Sequence, residues 1–199
     1  MKKFAILLAI IILSCFIGGL YGILHDFLTY SISPEYYTRF KFIQFGLVFD
    51  YHNAELYHNH PLIPVALVGW MATWWMGLII GTILGLVTLR LNAKTMFTTT
   101  LKAIGITIAI SFITGLAGLL YGWLFLMDKF TALKAAGWQL PEGLDEPGNF
   151  IIVGSMHNFS YIGGALGLAV GIVFVFRKNK SILAVCFFRK LHIHTTTTN

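Results

Sequence analysis

The chain has 199 residues, of which 57% are hydrophobic and only 11% are charged, with a formal net charge of +6 and a mean hydropathy of +0.76. A soluble domain carries about 25% charged residues, so the composition excludes an ordinary soluble domain and indicates an integral membrane protein. A basic balance in a soluble chain would suggest a nucleic-acid partner. Here the placement of the charges indicates membrane topology instead, and we expect no nucleic-acid partner.

Four apolar runs dominate the sequence, at about residues 4–25, 64–89, 101–127 and 150–176. Each reaches the roughly 20 residues that cross about 30 Å of hydrocarbon as a helix. Since lipid offers no hydrogen-bond partners to the backbone, we expect helices throughout. The first run continues past Cys15 without a cleavage motif, which favours a retained helix over a signal peptide. The sequence therefore predicts an all-α membrane protein with one transmembrane domain, residues 1–176, folded as a compact bundle of four transmembrane helices.

The charged residues divide between the two sides of a four-pass topology. Ten of the 14 lysines and arginines fall on the side of the termini, whereas all eight acids fall on the opposite side. The positive-inside rule then places both termini in the cytoplasm, with residues 177–199 as a basic cytoplasmic tail and residues 26–63 and 128–149 as outer segments.

The first outer segment contains the signature of a helix start. Ser33 is a favoured N-cap residue, Pro34 is tolerated at the first helical position, and Glu35 suits the positive end of the helix dipole. We expect a short helix here, part of an outer-face helical and loop segment that roofs the bundle. Its apolar residues are expected to lie along the headgroup zone; they are Tyr36, Tyr37, Phe40 and Ile43.

Small residues recur at helical spacing in all four runs and predict close helix packing. In the first run His25 follows Gly18 and Gly22 at helical spacing, four and then three residues apart, and in the fourth run His157 precedes Gly164 by seven residues, about two turns. Both histidines should therefore face the interior of the bundle. Each lies about 20 residues from the basic residues at the far end of its helix, so we expect them at the same depth.

These histidines lie on the same side as all the acids, and imidazole with carboxylate suits zinc, copper or non-haem iron. The site hypothesis is a divalent metal held by His25, His157 and His60, with Asp26 or Glu35 as a ligand or proton acceptor. The same residues are also compatible with a metal-free polar cluster that is structural or protonatable.

Two further functions fit the pattern. One is a non-enzymatic assembly module whose glycine stripes and aromatic belt bind membrane lipid, a partner helix or a second copy of the chain. The other is a proton-coupled carrier that uses His25 and Asp26 as a relay, although polar residues are scarce along the rest of the helices. No phosphate-binding loop or nucleophilic triad is present, so the sequence leaves open whether the protein is an enzyme.

The chain resembles an uncharacterised group of small bacterial four-pass membrane proteins over most of residues 18–171. The resemblance rests on five short motifs: Tyr21–Gly22 with His25–Asp26, Pro34–Glu35–Tyr36, His60–Pro61, Ala72–Thr73–Trp74–Trp75, and His157 with Ser160–Tyr161. It implies a location in the bacterial inner membrane and draws attention to the same His and carboxylate residues. It implies no known activity.

Overall fold

The computed structural model describes the backbone of residues 2–49 and 60–196 and the side chains of residues 2–49 and 60–178. Within those ranges the chain is helical and contains no strand. We number the helices α1 to α6 in chain order. They are α1 (Lys2–Ile32), α2 (residues 34–44), α3 (Leu62–Thr88), α4 (Ala93–Tyr121, extended by a π-helical turn, Gly122–Leu126), α5 (Phe130–Ala135) and α6 (Pro147–Thr196).

Helices α1, α3, α4 and α6 are long and apolar enough to cross a membrane, so the predicted all-α four-helix bundle is confirmed. The predicted end of α1 near residue 25 is wrong, because the helix continues to Ile32. No helix breaker occurs before Pro34, which disfavours helical geometry at the residue preceding it. As a result His25 and Asp26 lie inside a helix, and the connection from α1 to α3 begins after Ile32. At the other end of the chain, α6 runs on through Thr196 as one helix.

The bundle consists of two closely packed helix pairs, α1 with α3 and α4 with α6. In the first pair the two backbones touch, since a Cβ on Gly22 would overlap the carbonyl oxygen of Gly69. In the second pair a Cβ on Gly167 would lie 2.8 Å from the Cα of Thr107. The glycine stripes read from the sequence therefore hold each pair together, because their missing side chains allow the helices this approach.

Large apolar side chains cover the outside of the bundle. On α1 the exposed ones recur every four residues and so form a band that winds slowly around the helix; they are Phe4, Leu8, Ile12, Phe16, Leu20, Leu24 and Leu28. Such a surface suits lipid and not water, in agreement with a multi-pass membrane protein.

We call the two ends of the bundle the basic end, where the Lys3 ammonium donates to the Leu89 carbonyl, and the acidic end, which carries α2 and the loop before α6. At the acidic end the predicted helix start is confirmed, because the Ser33 hydroxyl caps the backbone N–H of Tyr36. Helix α2 comprises Pro34–Tyr36, a π-helical turn (Tyr37–Lys41) and Phe42–Gln44. This arrangement places α2 across the ends of α1 and α6.

Candidate functional site

His25, Asp26 and His157 form a cluster within the acidic end of the bundle. All three side chains are buried, with 6%, 4% and 6% of their surface exposed. One potential ligand atom from each lies within 4.8 Å of the other two, and the two imidazole rings meet edge to face with their centroids 4.8 Å apart. The prediction that His25 and His157 face inward at one depth is thus confirmed. The structure brings together two imidazoles and one carboxylate, a donor set able to hold a metal ion.

The ring of His157 is held in one orientation by its own helix. Its Nδ1 lies 2.9 Å from the carbonyl oxygen of Val153, one turn earlier. A carbonyl can only accept, so Nδ1 carries the proton and donates. In the neutral ring the other nitrogen, Nε2, then presents a lone pair, and it faces Oδ1 of Asp26 at 3.3 Å.

His25 approaches the same carboxylate oxygen from α1. Its Nδ1 lies 3.4 Å from Oδ1 of Asp26, and its Nε2 lies 3.1 Å from the hydroxyl of Ser160 on α6. A hydroxyl both donates and accepts, so the Ser160 hydroxyl can accept a hydrogen bond from Nε2–H of His25, and Nδ1 then presents a lone pair to Asp26. In that tautomer both imidazoles direct lone pairs at Oδ1.

The second carboxylate oxygen of Asp26, Oδ2, has no hydrogen-bond partner. Among the described residues it is the one buried side-chain nitrogen or oxygen atom that lacks a partner. Leaving a buried polar atom unsatisfied costs about 1–3 kcal/mol, and more for a charged group. Such an atom calls for a cation, a proton or a bound hydrogen-bond donor nearby.

Helix α2 covers the cluster with two buried tyrosines. The ring of Tyr36 stacks on the imidazole of His157, with centroids 5.0 Å apart and planes 27° apart. The hydroxyl of Thr29 donates to the carbonyl of His25, so the Tyr37 hydroxyl, 2.6 Å away, donates to Thr29. Burial raises the pKa of the Tyr37 phenol, and the charge of Asp26 raises it further. The expectation that Tyr36 and Tyr37 lie along the headgroups is wrong: they close the bundle.

A buried lysine lies on the same helix. The ammonium of Lys41 donates to the side-chain oxygen of Gln44 at 2.9 Å and lies 5.3–5.6 Å from the ring centroids of Tyr36, Phe40 and Phe45. Burial lowers the pKa of Lys41, and the negative charge of Asp26 opposes this shift. The aromatic rings favour the charged form through cation–π attraction. Nothing in the sequence pattern distinguished this lysine from a solvated one.

The structure places the two other predicted ligands outside the cluster. The carboxylate of Glu35 accepts hydrogen bonds from the backbone N–H groups of Asp145 and Glu146, at 3.0 and 2.8 Å. It therefore anchors the loop before α6 to α2. His60 is exposed and directly precedes the turn that begins α3. Neither belongs to the group of residues whose ligand atoms come together.

A cavity of about 80 Å³ extends from the cluster into the bundle, between the two helix pairs. Helices α1, α3, α4 and α6 all contribute to its wall. At the acidic end Ser111 donates to the carbonyl of Ser160, so the Tyr21 hydroxyl, 3.2 Å away, donates to Ser111. The sequence offered no reason to connect Tyr21 with Ser111, because they lie on different helix pairs.

Comparison with known proteins supplies no relative: no family model, no curated protein and no solved structure matches this chain.

Proposed function

We propose that this protein is an intramembrane metalloprotein of the bacterial inner membrane that binds one divalent transition metal ion through His25, Asp26 and His157. One observation carries the proposal: each imidazole has a partner for one nitrogen while its other nitrogen faces the same carboxylate oxygen. Metal-binding histidines in proteins are typically oriented in this way, by a hydrogen bond from the nitrogen that does not bind the metal.

Two of the three ligand spacings already suit a metal ion. Two ligand atoms about 2.1 Å from a tetrahedral metal lie about 3.4 Å apart. The nitrogens of His25 and His157 lie 3.4 and 3.3 Å from Oδ1 of Asp26, so these two spacings need no rearrangement. The ligand atoms of the group lie up to 4.8 Å apart, so the two imidazoles would move toward each other when an ion binds. The unpartnered Oδ2 provides a second oxygen for the same ion.

Two imidazoles and one carboxylate are a donor set used for catalytic zinc and for non-haem iron, and both leave coordination positions for another molecule. Neither thiolate nor thioether belongs to the cluster, which makes copper(I) the poorer fit. We therefore expect zinc or iron(II). Water has restricted access to the ion, since α2 and its tyrosines cover the site.

Metal analysis of the detergent-purified protein, expressed with zinc and iron present, tests the proposal. We expect about one ion per chain in the wild type and less than about 0.2 in the variants His25→Gln and His157→Gln. His60→Gln and Glu35→Gln are matched controls, because these side chains lie outside the cluster, and they should retain the ion. Circular dichroism and gel filtration check that each variant is folded.

Two results would overturn the proposal. The first is a wild-type protein that contains no metal and takes up none after addition of zinc or iron(II). A proton shared between Oδ1 of Asp26 and Nε2 of His157 would then hold these two atoms together, as in the metal-free polar cluster that the sequence also allows. The second is loss of the ion from His60→Gln or Glu35→Gln to the same extent as from the cluster variants.

The membrane and its orientation form the second part of the proposal. Residues of the basic end face the cytoplasm, because ten of the 14 lysines and arginines lie there, and the cluster lies near the outer surface. The bacterial location rests on the resemblance carried by the motifs around Tyr21, Glu35, His60, Trp74 and His157.

A further inference from the structure

We propose that the cavity between the two helix pairs binds dioxygen and supplies it from the membrane to the ion held by His25, Asp26 and His157. The supply to the ion rests on the proposed function, and it commits the metal to iron(II). The binding of a small apolar molecule does not depend on the metal, because it rests on the volume and lining of the cavity.

The side of the cluster that faces α2 is closed. Tyr36 and Tyr37 cover it and are 5% and 0% exposed, and the ring of Tyr36 stacks on that of His157. On the opposite side, His25, Asp26 and His157 all contribute to the wall of the cavity. An ion with three protein ligands keeps an open coordination position for another molecule. We infer that this molecule reaches the ion through the cavity.

The wall of the cavity favours an apolar occupant. Its large aliphatic and thioether side chains are Ile17, Met76, Ile80, Ile104 and Ile108. The hydroxyls of Ser14, Thr73 and Thr107 also line it, but each donates to a carbonyl of its own helix one turn earlier. Nearer the cluster the hydroxyls of Tyr21 and Ser111 donate as well. Since these protons are already used, the cavity offers water few partners and should stay dry.

The volume of the cavity limits the occupant to a small molecule. It measures about 80 Å³. An engineered apolar cavity of about 150 Å³ in another protein binds benzene or xenon. The occupant here is therefore smaller than benzene, which points to a dissolved gas. Apolar gases partition from water into hydrocarbon, so the membrane is their natural source.

The donor set of the cluster selects dioxygen among such gases. Two imidazoles and one carboxylate with open positions are typical of the iron(II) enzymes that use dioxygen. Zinc has no redox chemistry and would not use it. Carbon dioxide at a zinc-bound hydroxide is the poorer fit, because that reaction consumes water, which α2 and the apolar wall keep away.

The gap between α3 and α6 provides a route from the lipid. Tyr161 on α6 lines the cavity and is also 39% exposed on the outside of the bundle. Met76 on α3 lines the same wall, and its methyl carbon would lie 3.8 Å from a Cβ on Gly164. Methionine is unbranched and adaptable, so a small movement of these two side chains would admit a diatomic molecule.

Xenon binding to the metal-free protein tests the cavity by itself. The full-length protein is purified in detergent, stripped of metal with a chelator and isotope-labelled at the isoleucine methyl groups, and NMR spectra are recorded under increasing xenon pressure. We expect saturable shifts of Ile80, Ile104 and Ile108, which line the cavity. The lipid-facing Ile113 and Ile162 should shift only in proportion to the pressure.

Nitric oxide binding to the iron(II)-loaded protein tests the supply route. Nitric oxide replaces dioxygen as the probe, because it is also a small diatomic gas and its complex with iron(II) absorbs visible light. Ala72→Leu fills the cavity from α3, whereas Ala109→Leu makes the same change at an exposed position on α4. In anaerobic stopped-flow measurements at equal iron content, association should be severalfold slower in Ala72→Leu and unchanged in Ala109→Leu.

The outcomes separate this inference from the proposed function. Xenon shifts that do not saturate at any isoleucine of the wild type would overturn the cavity site, whether or not Ala72→Leu folds. An unchanged nitric oxide rate in folded, iron-loaded Ala72→Leu would refute supply through the cavity. A wild type that binds zinc but no iron(II) would refute dioxygen as the ligand and leave the proposed function standing. A wild type that binds no metal would overturn the proposed function and the supply to an ion, whereas saturable xenon shifts would still show the cavity site.

Discussion

Two adjacent glycines in α6 allow a sharp test of the packing between α4 and α6. A Cβ on Gly163 would overlap the hydroxyl oxygen of Thr114 and lie 2.8 Å from the Cα of Ser111. A Cβ on Gly164 would instead point toward the cavity, where the nearest atom is the Met76 methyl carbon at 3.8 Å. We therefore expect Gly163→Ala to destabilise the protein and Gly164→Ala to be tolerated.

The difference in stability between Gly163→Ala and Gly164→Ala measures the steric cost of the added methyl group at Gly163. Both substitutions gain the same helix propensity, about 1 kcal/mol for Gly→Ala, and this gain cancels in the difference. Overpacking a close interface costs about 1–3 kcal/mol, and the Ser111 Cα cannot move without its helix. Gly163→Ala should thus be about 1–3 kcal/mol less stable than Gly164→Ala. The shift should also weaken the hydrogen bond from Ser111 to the Ser160 carbonyl.

The free energy of unfolding can be measured by titrating the protein in mild detergent with dodecyl sulfate, followed by circular dichroism. Gly105→Ala serves as a further control, because a Cβ there meets no atom within 4 Å. Equal stabilities for Gly163→Ala and Gly164→Ala would refute the close contact between α4 and α6, and with it the two-pair description of the bundle.

Three other predictions concern the acidic end and the orientation. Glu35→Gln should cost about 1 kcal/mol and speed hydrogen exchange at the amides of Asp145 and Glu146, because a single amide oxygen replaces two carboxylate acceptors. Glu142→Gln is the control, because it weakens only an exposed ion pair with Lys134 and should leave exchange at these two amides unchanged. The pKa of Lys41 is lowered in the folded protein, so the unfolded chain binds more protons at this residue. Thermal stability should therefore rise with pH up to the ordinary lysine pKa of 10.5, and this slope should disappear in Lys41→Met. An unchanged slope in the variant would show that another group causes the pH dependence. Cysteines introduced at Gln139 and Lys94 should react with an impermeant maleimide in intact cells only at Gln139, and the reverse pattern would invert the proposed orientation.

Much of the fold was predictable from local features. Hydrophobic run length predicts the four membrane-spanning helices, and the spacing of the glycines predicts which helix faces pack. The same spacing, extended to His25 and His157, indicated that the two histidines meet. The end of α1 was harder to predict, because the polar Asp26 indicates the end of a membrane-spanning helix unless its buried partners are known.

The candidate site was predicted in part. His25, Asp26 and His157 come together, but Glu35 and His60 do not join them. Both were proposed because the predicted topology places them on the same side of the membrane as His25 and His157. That criterion predicts their depth along the membrane normal but not their distance from the cluster in the plane of the membrane. Whether a carboxylate faces a metal site or a loop backbone depends on the path of the chain through residues 26–63, which carries no periodic signal.

The class of protein, its four spans, its charge asymmetry and the inward direction of two histidines can all be predicted from the amino-acid sequence. These properties follow from hydrophobic length and helical periodicity, which act within one segment at a time. Three features are visible only in the folded chain: α1 pairs with α3 and α4 with α6, Tyr36 and Tyr37 cover the cluster, and a cavity remains between the pairs. Those features depend on contacts between residues far apart in the sequence, such as that of Gly22 with Gly69 and that of Asp26 with His157.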